Sequence, residues 1–135
     1  MKKLLLFAAS LLIAATASVR SFAQVGYIQG EVPFSFTVSG KTLPAGEYRI
    51  FSGPHQLKIQ DGDGKVVAFV LTNNALARSG DGNDRIVFHC FGDRCFLAEA
   101  WSSLQGRVLI PSRAEEELAK EKRAQYFAVL AKPQR

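Results

Sequence analysis

Apolar and polar residues alternate from Glu31 to Val38, with Val32, Phe34, Phe36 and Val38 pointing one way and Glu31, Pro33, Ser35 and Thr37 the other. Period two with one wet face predicts a half-buried strand. Pro33 offers no N–H to a ladder, which places this strand at an edge or gives it a bulge. Ser39-Gly40 and Pro44-Ala45-Gly46 are turn signals. The alternation resumes through Tyr48 and Ile50, then through Leu57 and Ile59, before Asp61-Gly62-Asp63-Gly64 turns the chain again. In Lys65–Leu71 both faces are apolar, Val66, Ala68 and Val70 on one and Val67, Phe69 and Leu71 on the other. Such a strand is expected near the middle of a packed structure. Residues 73–84 are polar and contain glycine, and they are expected to form the longest loop. Two more strands, Arg85–Phe91 and Arg94–Trp101, flank Gly92-Asp93, and a short one is expected at Arg107–Ile110 within an otherwise irregular stretch. Six short strands with closely spaced turns predict an all-β protein, an antiparallel β-sandwich or small barrel.

The pattern changes after Pro111. Ser112-Arg113-Ala114-Glu115 fits a capping box, acidic residues occupy the first turn, and Lys120, Lys122 and Arg123 the last. Glu116 and Lys120 form an i,i+4 pair. The apolar stripe is thin, mainly Ala114 and Leu118, so a surface helix over about 112–123 is predicted. In residues 125–131, Tyr126, Phe127 and Val129 favour a final strand returning to the sheet, with continued helix as the alternative.

Residues 1–23 have the layout of a secretory signal peptide: Lys2 and Lys3, an apolar run from Leu4 to Ala17, then Ser21-Phe22-Ala23 before a cut at Gln24. The predicted mature chain is one β-rich domain, 24–135, with no further run long enough to span a membrane. The whole chain carries 17 basic and 12 acidic residues. Losing Lys2, Lys3 and Arg20 with the leader leaves a nearly neutral protein, so the basic excess does not point to nucleic acid. The expected location is the periplasm or the cell exterior.

The segments VPFSFTVSGKTLPAGEYRI, FGDRCFLAEAW and PSRAEEELA carry a resemblance. The chain resembles an uncharacterised group of small exported β proteins of soil bacteria, in which VPFxFxV leads into LPAGxYxV and a GDxxFL hairpin precedes an SRAExEL helix. The likeness spans most of the mature chain. Its motifs are turns and a helix cap, so it implies fold rather than chemistry and carries over no functional residue.

Candidate chemistry is sparse. His55 follows Pro54 beside a turn and is expected to face solvent; His89 shares a strand face with Val87 and Phe91 and reads as a partly buried, hydrogen-bonded side chain. No nucleophile elbow, zinc-protease helix or phosphate-cradling loop is present. Asp61, Asp63, Asp81, Asn83 and Asp84 could ligate calcium, but the EF-hand pattern is incomplete and Gly-Asp clusters are the residues of tight turns. Cys90 and Cys95 fit neither the C-x-x-C spacing of zinc ligands nor that of redox motifs. Two cysteines in an exported chain are expected to bridge. With Gly92-Asp93 as a type II′ loop, Phe91 faces Arg94 and Cys90 faces Cys95 as a non-hydrogen-bonded pair about 4.5 Å apart at Cα. The same register pairs Phe88 with Leu97 and Ile86 with Glu99 and puts Trp101 on the cysteine face. The reading is a non-catalytic structural or binding module with no cofactor and no metal, its partner a protein or small apolar ligand. The alternative is a barrel holding a small apolar ligand among Phe34, Phe36, Tyr48, Phe69, Phe88 and Trp101, residues that serve equally as core; a third reading is a minimal hydrolase.

Overall fold

The computed structural model describes residues 26–76, 83–102 and 105–132. Residues 1–23, expected to form a signal peptide, and Asp81 lie outside them. Ten strands form: β1 (Tyr27–Val32), β2 (Phe36–Val38), β3 (Lys41–Leu43), β4 (Gly46–Ser52), β5 (Gln56–Asp61), β6 (Val66–Leu76), β7 (Arg85–Phe91), β8 (Arg94–Ser102), β9 (Gln105–Leu109) and β10 (Gln125–Leu130). One helix, α1 (Arg113–Glu121), lies between β9 and β10. Over the described residues the protein is all-β with a single surface helix. Residues 125–130 are strand, paired with β7.

The strands follow the order β1-β4-β5-β6-β9-β8-β2-β3, with β7 on the other edge of β8 and β10 beyond it. β6 belongs to both halves of the sandwich. Its first residues, Val66–Leu71, pair with β5, and Thr72–Leu76 pair with β9. Residues 73–76, expected in a loop, are therefore strand. The sheet does not close into a barrel; the Lys132 N–H donates to the Gln29 carbonyl of β1 at 2.7 Å, linking the segment after β10 to the opposite edge.

The alternation through residues 31–38 holds in burial but not in pairing. Val32, Phe36 and Val38 are buried, yet the strand breaks at Pro33. β1 pairs with β4, and β2 pairs with β3 and, in parallel, with β8 at Thr37–Phe96. The missing proline donor ends the first ladder and lets the chain cross between layers. The β2–β8 contact makes the sheet mixed rather than wholly antiparallel. The β2–β3 turn is Ser39-Gly40, both at positive φ (49° and 74°), as a two-residue type I′ hairpin requires.

The core is filled by edge-on aromatic rings. Phe88 contacts Phe34 and Phe36, each with ring centroids 5.1 Å apart, and Phe36 contacts Tyr48 at the same distance. Leu57, Ile59 and Ile86 complete the interior. Gly30 of β1 lets the two layers approach, since a Cβ there would stand 3.1 Å from the Ile86 Cδ1.

Candidate functional site

The β7–β8 hairpin carries most of the candidate residues. Gly92 sits at φ 67° and no positive φ occurs at Asp93, the pattern of a type II′ turn. Phe91 faces Arg94, and Cys90 faces Cys95 across a disulfide with Cα atoms 4.0 Å apart. Phe88 pairs with Leu97 as predicted. Ile86, however, pairs with Ala100 rather than Glu99, because the register shifts between Val87 and Phe88. The extra residue is Ala98. Ala98 and Ala100 are buried, while Glu99 and Trp101 swing to the outer face, off the cysteine side.

That bulge assembles a cluster that the sequence pattern does not reveal. His89 lies with Nδ1 3.3 Å from Glu115 Oε1 of α1 and Nε2 3.8 Å from Glu99 Oε2 of β8. Glu99 in turn accepts the Trp101 indole N–H at 2.8 Å, and Tyr126 of β10 meets the imidazole edge-on, centroids 4.5 Å apart. His89 is partly buried as expected, but its Nε2 makes no hydrogen bond. The Ser112 hydroxyl accepts the Glu115 N–H at 3.2 Å, capping α1. The other half of a capping box, a glutamate turned back on the cap, is replaced by the Glu115–His89 contact. Glu115 is consequently buried and Ala114 exposed, while Leu118, the other residue of the predicted stripe, is half-buried. The cluster ties α1 to the outer face of the hairpin. Among the described residues, no three His, Cys, Asp or Glu side chains are set to hold a metal.

The acidic turns have their own occupation. The Asp61 carboxylate accepts the N–H groups of Asp63 and Lys65, both at 3.0 Å, forming an Asx turn. The Asn83 carbonyl accepts from the Arg85 guanidinium, and the Asp84 carbonyl from the Ala131 N–H. His55 is exposed.

A groove of about 340 Å³ opens on the outside of the sandwich, where β9 leaves the sheet for α1. One side is β6 (Phe69, Val70, Leu71), the other the β2–β3 turn; Phe96, Leu97 and Leu109 also line it, as do Ile110, Ser112 and Glu115. The Ser39 hydroxyl donates to the Phe69 carbonyl at 3.0 Å across it. Around it Phe69 is 56% exposed, Leu71 65% and Ile110 57%. β6 thus departs from its predicted burial. It is central in the strand order, yet nothing among the described residues covers its outer face. The signal that could have marked the groove is the uncompensated apolar pair Phe69 and Leu71, read instead as part of a packed strand; Val67, assigned to the same face, packs against the core at a register shift.

No protein-family model matches this chain, and neither does any curated protein or solved structure. Among the described residues no helix is long and apolar enough to cross a membrane.

Proposed function

We propose that this chain is an exported, non-catalytic binding module of the periplasm or cell exterior, and that the groove beside β6 is its recognition surface. The observation that carries this reading is the combination of a filled core with apolar side chains standing open around an external groove. Large exposed apolar side chains that line one concavity mark recognition sites more often than chance exposure does. Packing of Phe34, Phe36, Tyr48 and Phe88 on one another favours this reading over a ligand held in a barrel interior. The engaged Ser112 hydroxyl and bonded cysteines favour it over a hydrolase. Export is supported by the N-terminal pattern and by the disulfide, which oxidising compartments preserve.

Two experiments test it. Intact mass of the exported protein is expected to correspond to a chain starting at Gln24; retention of Met1–Ala23 contradicts export with cleavage. Nile red, a neutral apolar dye, is expected to brighten with the folded protein and much less with Phe69→Ser/Leu71→Ser. Equal response from both proteins contradicts the groove as the binding surface.

A further inference from the structure

The wall of the groove has a charge asymmetry that narrows what it can hold. Apart from its apolar residues it contributes the hydroxyls of Thr37, Ser39 and Ser112 and a single charged side chain, Glu115. No lysine, arginine or histidine lines it. The Ser39 hydroxyl is engaged with the Phe69 carbonyl and the Ser112 hydroxyl with the helix cap. Glu115 is only 7% exposed. One of its oxygens, Oε1, faces His89, and the other has no partner among the described residues. The amide groups at the start of α1 that would attract an anion belong to Arg113 and Ala114, which are not part of the wall.

A carboxylate held in an apolar wall is costly to strip of water unless a cation meets it, and a charge-assisted hydrogen bond there is stronger than a neutral one. An anionic head group placed on Glu115 would be repelled by its carboxylate. The groove volume lies at the small end of ligand sites. We propose that the groove binds a small amphiphile with an apolar body and one ammonium group, the body lying along Phe69, Leu71 and Ile110 and the ammonium on Glu115. This inference rests on the binding-module reading and adds the class of ligand.

The test uses three eight-carbon probes of the same body: octylammonium, octanol and octanoate. Each is titrated into the disulfide-bonded, isotope-labelled protein near neutral pH, with amide chemical shifts as the readout. Octylammonium and octanol are expected to shift the amides of Phe69, Leu71 and Ile110. Octylammonium is expected to bind about tenfold more tightly than octanol, the size of one charge-assisted hydrogen bond, and octanoate most weakly. Glu115→Gln keeps the side-chain shape and is expected to bring octylammonium down to the octanol affinity. Phe69→Ser, at an exposed position, is expected to weaken all three probes. Should Glu115→Gln fail to fold, the order of the three probes on the unaltered protein still decides. Octanol binding as tightly as octylammonium, octanoate binding as tightly as either, or a preference for the cation that survives Glu115→Gln overturns the ammonium assignment alone. Failure of every probe to shift the groove amides overturns the binding-module reading and this inference with it.

Discussion

β6 and the β7–β8 hairpin look alike in sequence and end in opposite situations. Both are apolar on alternate and intervening positions. In the hairpin both faces are covered: Phe88 and Leu97 face the core, while Phe91 and Phe96 on the other side are equally buried, with α1 lying along the hairpin through Glu115 on His89. In β6 only Ala68 and Thr72 are fully buried, and Phe69 and Leu71 stand open. An apolar face is thus a demand for a cover, and what supplies the cover is decided by tertiary contacts. Where the chain supplies a cover of its own, the face becomes core. Where it does not, the face is left for something else.

Substitutions separate the two cases. Phe88→Ala, at a position with no exposure, is expected to cost about 3–5 kcal/mol, read from denaturant unfolding. Replacing Cys90 and Cys95 together by alanine is expected to cost about 2 kcal/mol, since the bridge closes a loop of only about six residues; the variant should still fold with a lower melting temperature. Ser112→Ala removes the cap of α1 and is expected to cost about 1 kcal/mol. Unchanged stability of that variant would show that α1 contributes little as a cover.

A smaller effect is expected at the closing edge of the sheet. A hydrogen bond from the Gln29 amide and the nearby Lys132 ammonium hold the Glu47 carboxyl below its usual value of 4.5. A depressed carboxyl pKa stabilises the fold above the unfolded value, and that contribution is lost as pH falls through the folded one. Melting temperature should therefore drop slightly on acidification below about pH 4.5, and Glu47→Gln should flatten that part of the profile.

The legible part of this fold was everything governed by local pattern. Leu57 and Ile59, the Gly92-Asp93 turn, the cysteine pair and the Ser112 cap all follow from period, turn chemistry or spacing. Four features escaped for physical reasons. β3, three residues long, has no room for a periodic signal and hides inside what reads as a pair of turns. The shift at Val87/Phe88 depends on how β8 meets its neighbours, and it alone takes Glu99 from its predicted place opposite Ile86 to the face it shares with His89. Burial of Glu115 shifts the inward face of α1 from Ala114 and Leu118 to Glu115 and Leu118, because the contact with His89 draws Glu115 against the hairpin. The groove escaped because its apolar rim has the same composition as core.

The smallest expected effect on stability is the most telling. Phe69→Ser/Leu71→Ser removes two large apolar side chains from the rim of the groove, and its unfolding free energy in denaturant measures whether they belong to the core or to a recognition surface. A value within about 0.5 kcal/mol of the unaltered protein, with the same denaturant slope, is the result this account predicts. A loss of about 3 kcal/mol or more, as at Phe88, would mean that the face is covered core and would contradict it.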